Sequence, residues 1–364
     1  MKKLRSSPIS LIFILLTIIA FVNAKSPVRA RSTMLSLYTK SDIIAVGRFD
    51  KKEEVGTNRV SEGFTVVTTR TYFDISTVLK GEPQKFVLIE NEEFRYQVQK
   101  GNDVSRTTTF VDSNNSREDE IKPGDTVLLF LKKDGESIIL ADERDGVRQI
   151  SAEQQNAYSD RIKELNAIFD SKEIDNAKIA AWLVRCVKDP VTRWDGTHEL
   201  LQGFRQLEWR DVKDDRGYER VDPSVSFAHG SEAVQSLTDD LKAALTQILI
   251  SSDFSSQKKS SELSDGDREL INLVKRWDPS TAARYLIGQL KSGAFTTHEN
   301  AGMMFKVAEL IADDRAAQIW KQYLTAGDQT QNVATVNDPH SVLMKKFISS
   351  AEEKLAQLSI VPVD

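Results

Sequence analysis

The chain has 364 residues, 40% hydrophobic and 28% charged, with a single cysteine and a formal net charge of −5. That length suits two average domains. With 17 Gly and 9 Pro the chain is neither collagen-like nor linker-like; its near-balanced charge argues against global disorder, and one cysteine excludes a disulfide scaffold.

Lys2, Lys3 and Arg5 precede the apolar run Ile9–Val22, broken only by Ser10 and Thr17, and Val22-Asn23-Ala24 supplies small residues where a signal peptidase reads. Residues 1–24 therefore read as a secretory signal peptide cleaved after Ala24. The run has 14 residues, short of the roughly 20 that a membrane-spanning helix needs. No cysteine follows it to carry a lipid, and no second long apolar run exists. The expectation is an extracytoplasmic protein, secreted or periplasmic, with no stable membrane anchor after cleavage.

Cleavage would take the net charge to −8. Residues 25–150 carry 20 basic and 21 acidic side chains, and residues 151–364 carry 26 and 33. Neither part has the basic footprint that a phosphate backbone requires, so nucleic acid is not an expected partner.

Residues 25–40 read as an N-terminal arm. From there to Ile150 the pattern is β, in the runs Ile43–Phe49, Phe64–Leu79, Phe86–Glu90, Phe94–Val98, Arg106–Val111, Thr126–Lys132 and Ser137–Ala141. Lys80-Gly81, Pro123-Gly124 and Asp134-Gly135 punctuate them as turns. Val67, Thr69, Thr71, Phe73 and Ile75 share one face, and the parity then shifts at Val78, which predicts a bulge near Ser76-Thr77. Long bent strands let a small sheet close into a barrel. The polar stretch Asp112–Glu120 reads as a loop. In Thr126–Lys132, Val127, Leu129 and Leu131 alternate with Leu128 and Phe130, so both faces are apolar and the outer one needs cover. Helices are the expected cover.

From Ser151 the period becomes helical: Ile162, Leu165, Ile168 and Phe169 form one stripe, and Ile179, Trp182, Leu183 and Cys186 another. Further helical runs are Ser231–Ile250, Asp267–Trp277, Thr281–Leu290, Glu299–Ile311, Ala316–Leu324 and Ser341–Leu358. Asp189-Pro190, Asp278-Pro279 and Asp338-Pro339 read as N-caps followed by Pro at the first helical position, and Thr296 with Glu299 as a capping box. Arg210–Val225 and Asp253–Gly266 read as loops. Arg193-Trp194-Asp195 recurs as Arg276-Trp277-Asp278, so both a helical-repeat array and an irregular bundle stay open.

SDIIAVGRF (Ser41–Phe49), TVLKG (Thr77–Gly81) and PGDTVLLFLKKDGESIIL (Pro123–Leu140) give residues 41–150 a likeness to a known family. The segment resembles the netrin-like module of the tissue inhibitors of metalloproteinases, a closed barrel of the OB-fold type. The resemblance implies a closed β-barrel over 41–150; residues 151–364 resemble no known family, and their helical period makes them an all-α domain, so the chain reads as α+β multidomain. The inhibitors act through an N-terminal cysteine held by disulfides; here the expected mature N-terminus is Lys25, so no inhibitory residue carries over. OB-folds also bind oligosaccharides and nucleic acids, so the fold alone selects no ligand.

The motifs of common catalytic chemistries are missing. Thr197-His198-Glu199-Leu200-Leu201-Gln202 starts like a zinc-protease helix, but Gln202 stands where the second His belongs, and His298-Glu299 fails the same test at Gly302. His198, His229, His298 and His340 read as surface or helix-start histidines. No Gly-x-Ser-x-Gly elbow or Gly-rich phosphate loop occurs. Asp265-Gly266-Asp267 and Asp211 to Asp215 lack the spacing of a calcium loop. Cys186 lies on an apolar helical face and reads as core, as do Trp182, Trp194, Trp277 and Trp320, with Trp209 outside any clear period. The sequence assigns no catalytic, cofactor or metal residue. It leans to a non-enzymatic binding protein for a protein or cell-envelope component, with an extracytoplasmic hydrolase at the domain junction, or a structural envelope protein, as alternatives.

Overall fold

A computed structural model describes residues 31–61, 64–82, 84–99, 107–112, 121–211, 228–252, 265–293, 295–326 and 339–358. The segment read as a signal peptide, nearly all of the loops read at Asp112–Glu120, Arg210–Val225 and Asp253–Gly266, and Asp338 lie outside the described residues.

Helix α1 (Met34–Lys40) comes first. The strands follow as β1 (Ile43–Ser61), β2 (Phe64–Lys80), β3 (Phe86–Gln99), β4 (Thr107–Asp112), β5 (Thr126–Asp134), β6 (Ser137–Leu140) and β7 (Val147–Gln149). All pairs are antiparallel, in the order β4-β3-β2-β1-β5-β6, and β7 also pairs with β5.

The closed barrel is therefore corrected: the sheet is open. Closure would need β6 to ladder onto β3 or β4. Instead β6 spans four residues, and the chain turns back so that β7 takes the rest of the same β5 edge. The edges of β3 and β6 face a shared concavity of about 650 Å³ lined by Phe86, Leu88, Ser137 and Ile139, with no hydrogen-bond ladder across it. At the other end β1 and β2 run on together, and β2 with β3, as an arm whose β1 strand is mostly exposed while Val67, Thr69 and Thr71 of β2 are buried. Cross-strand charges stitch that arm, among them Lys52–Glu93, Arg70–Glu90 and Arg95–Glu54.

The bulge falls where the parity shift placed it. Val46 opposes Thr77 and Gly47 opposes Ile75, leaving Ser76 as the extra residue, its hydroxyl donating to Val46 O at 3.0 Å. Val67, Thr69, Thr71 and Phe73 are buried together on one face. The alternation in β5 resolves into two cores. Val127, Leu129 and Leu131 join Ile43, Phe73 and Ile89 within the sheet. Leu128 and Phe130 join Ile44, Val46 and the helices in a larger cluster. Helices thus cover the outer face of β5, as its sequence required.

After the sheet come α2 (Ala152–Phe169), α3 (Asn176–Lys188), α4 (Arg193–Asp211), α5 (Ala228–Gln235), α6 (Asp239–Ser251), α7 (Asp265–Val274), α8 (Pro279–Ser292), α9 (Thr297–Ile311), α10 (Asp314–Ala326) and α11 (Pro339–Leu358). Several caps are those expected: Asp278 with Pro279 opens α8, and Thr296 with Glu299 forms the capping box of α9. Three points differ. The run Ser231–Ile250 is two helices, because the Thr238 side chain caps a new start at α6. Asp189 ends α3 instead of opening a helix. The two Arg-Trp-Asp triplets occupy unlike places, since Asp195 lies inside α4 whereas Asp278 is the N-cap of α8.

Within the stretch read as an arm, residues 34–40 form α1, with Met34, Leu35, Leu37 and Tyr38 buried. Both of its ends are clamped. The Thr33 hydroxyl accepts from Ser36 N at 3.1 Å, and Met34 N donates to Asp195 Oδ1 at 2.6 Å. At the C-terminal end, where cations are favoured, Lys80 Nζ donates to Tyr38 O at 2.9 Å and Ser41 O at 2.7 Å. Burial lowers the Lys80 pKa, with Asp42 and Asp170 opposing. Tyr38, pushed up to about 12 by burial and then by Asp170, donates its hydroxyl proton to Asn166 Oδ1 at 2.9 Å. Asn166 Nδ2 in turn donates to Leu79 O at 2.8 Å, tying sheet to α2.

Candidate functional site

Two polar clusters stand out, one enclosed and one open. The enclosed one sits where α1, β7, α4 and α5 meet. Asp195, in the first turn of α4, accepts from Met34 N and from Arg148 Nη1, which lies 3.0 and 3.1 Å from its two oxygens. The Arg148 guanidinium also lies over the rings of Phe130 and Tyr158, at 5.5 and 6.0 Å. Burial alone would disfavour its charge, but Asp195 and Tyr158 outweigh that and move its pKa upward.

One turn on, Glu199 accepts from the Thr33 hydroxyl and from the Gly230 amide. Burial pushes its carboxyl up to about 7, helped by the nearby Asp195 and opposed by those two hydrogen bonds and Lys40. Its place depends on glycine: a Cβ on Gly230 would lie 2.7 Å from Glu199 Oε1, and one on Gly203 would lie 2.5 Å from Gly230 O. Helices α4 and α5 can approach this closely only without those side chains.

Two more pairs fasten α4 to α7. Arg193 Nη1 donates to Asp267 Oδ1 at 3.1 Å, and His198 Nδ1 lies 2.6 Å from Glu269 Oε1 with its ring stacked on Trp194. His198 is therefore buried within a helix, not at a surface or a helix start. The other three histidines sit at helix starts: His229 beside Phe169, His340 beside Tyr323, and His298 exposed at the start of α9. Cys186 is fully buried, and burial raises its pKa well above the ordinary thiol value. Trp182 is buried with its Nε1 donating to Arg161 O at 3.0 Å; Trp194, Trp277 and Trp320 are half-buried; the Trp209 side chain lies outside the described residues.

Chemically the enclosed cluster is a fastener. The Arg148 and Asp195 side chains are 5% and 3% exposed, so no substrate reaches them from solvent. Among the described residues no three His, Cys, Asp or Glu side chains gather as metal ligands.

The open cluster lies between α7, α8 and α9, in a groove of about 390 Å³, within the size range of small-ligand sites. Its floor is apolar, from buried Ile271, Leu286 and Met303 with half-buried Phe295. Arg268 and Lys306 supply cations, and Asn272, His298 and Glu299 further polar groups. Helical spacing gathers them: Arg268, Ile271 and Asn272 fall on one stripe of α7, with Lys275 in the turn just after it, and Glu299, Gly302, Met303 and Lys306 fall on one stripe of α9. Burial first, then Lys275 and Arg268, depress the Lys306 pKa, with Glu309 opposing. Like charges have been brought together here in the more acidic half of the chain.

No contiguous motif marks the groove, because its lining comes from three helices and Phe295, spread over residues 268–306. The signal available was the pairing of a cation with each apolar stripe, at Lys275 seven residues after Arg268 and at Lys306 seven after Glu299. His298, Glu299 and Gly302, set aside as a failed zinc motif, all line it. Compared with protein-family models, with curated proteins and with solved structures, the chain matches none.

Proposed function

We propose that the protein is an exported, non-enzymatic binding protein for a protein or cell-envelope component, engaged at the groove between α7, α8 and α9. The observation that carries this reading is the contrast between the two polar clusters. At the junction of sheet and helices, where a hydrolytic site would sit, the charges are locked into enclosed pairs. In the groove, cations lie beside an apolar floor on an open concavity, the composition by which binding sites hold and orient a ligand. Export rests on the basic start, the short apolar run and Val22-Asn23-Ala24.

The test places a photo-crosslinking side chain at Gly302, where added atoms would meet nothing within 4 Å. In the native host the protein should be recovered outside the cytoplasm beginning at Lys25, with an adduct that is lost in Lys306→Glu. Cytosolic protein retaining Met1, no adduct, or turnover of ester, glycoside or peptide substrates by the purified protein would overturn the proposal.

A further inference from the structure

Resting on that reading, we infer that the groove recognises the free C-terminus of a polypeptide that ends in an apolar residue. Three features of the groove select this chemistry. Arg268 and Lys306 line it together, and Lys275 lies close enough to act on Lys306. An anion seated between such cations relieves their mutual repulsion and forms charge-assisted hydrogen bonds, which are stronger than neutral ones. A terminal carboxylate is an anion of matching size.

The floor selects what the carboxylate is attached to. Ile271, Leu286, Phe295 and Met303 offer an apolar surface directly beside the cations, suited to one large apolar side chain. The remaining polar groups separate a peptide from a lipid. Glu299 uses one oxygen, Oε2, to accept from Thr296 N and Oγ1 at 2.7 Å each, while Oε1, shielded from solvent, has no donor within the described residues. Asn272 stands in the same groove. A peptide brings backbone N–H groups that Glu299 and Asn272 can accept, whereas an acyl chain brings none. A cationic peptide segment is disfavoured by the three like charges.

Titration calorimetry on the full mature chain provides the test, with three probes: acetyl-alanyl-valyl-phenylalanine as the free acid, the same peptide as its C-terminal amide, and dodecanoate. The free acid should bind and the amide should bind about tenfold more weakly or worse, the loss expected for one charged hydrogen bond. Lys306→Gln should weaken the acid by about tenfold and leave the amide unchanged. Its melting temperature should not fall, because a repelled cation is removed. Equal binding of acid and amide, binding of dodecanoate but not the peptide, or no binding of any probe would overturn the inference. The first two outcomes leave the groove standing as a binding site, and an adduct at Gly302 would do the same in the third, so failure of the ligand class is distinguishable from failure of the proposed function.

Discussion

Thr33 and Glu199 stand 166 positions apart in the chain and meet in a buried hydrogen bond, the threonine hydroxyl donating to Glu199 Oε2. The same hydroxyl accepts from Ser36 N and so caps α1. One side chain thereby fixes both the start of the first helix and its seat against α4. Asp195 takes the next free amide, Met34 N, so two carboxylates from one face of α4 hold the N-terminal end of α1.

Glu199 makes stability depend on pH. Its carboxyl rises from the ordinary 4.5 to about 7 on folding, so between those values the folded chain keeps a proton that the unfolded chain has lost. Its contribution is full below about 4.5 and falls as pH rises through about 7, by about 3 kcal/mol in all. Denaturant unfolding at pH 5 and pH 8 should show the wild type weaker at pH 8. Glu199→Gln, neutral at both values, should flatten that difference; an unchanged difference would place its origin elsewhere.

Asp195→Ala should cost about 3–5 kcal/mol, because it leaves the Arg148 guanidinium buried without its carboxylate and Met34 N without an acceptor. Glu352→Ala breaks the Lys291–Glu352 pair, whose side chains are half exposed, and should cost less than about 1 kcal/mol. Equilibrium unfolding of the two variants side by side checks the contrast.

Cys186 should resist thiol reagents in the native protein and react promptly once unfolded, since burial both blocks access and holds the thiol protonated. Cys186→Ser should lower stability by about 1–3 kcal/mol if the new hydroxyl stays unpaired. Rapid native labelling would contradict the packing.

Residues 33–150 expressed alone should fail to form a stable monomer. Ile44, Val46, Leu128 and Phe130 would lose the helical side chains that complete their cluster and would present an apolar patch to water. Light scattering and an apolar dye report the outcome. A monomer as stable as the full chain would show that the outer sheet face needs no cover.

Period and punctuation were legible in the sequence because they depend on neighbours. The strands around the Ser76 bulge, the Thr296–Glu299 capping box, the Pro279 start of α8 and the two-faced burial of β5 follow from local chemistry and from the parity of a pleated strand. Tertiary structure decided what depends on distant partners. Helix α1 is only seven residues long, too short to be stable by propensity, and exists because Asp195, Glu199 and Lys80 meet its ends. Helix α4 eluded the periodicity because its buried side is polar as well as apolar: Asp195, Thr197, His198 and Glu199 are buried, and glycines allow the close contacts. The sheet stayed open because β6 and β7 divide one edge of β5, a choice of pairing that no local pattern encodes. The groove likewise arises only when α7 and α9 bring their cations together, since electrostatic repulsion between Lys306, Lys275 and Arg268 depends on distance in space and not along the chain.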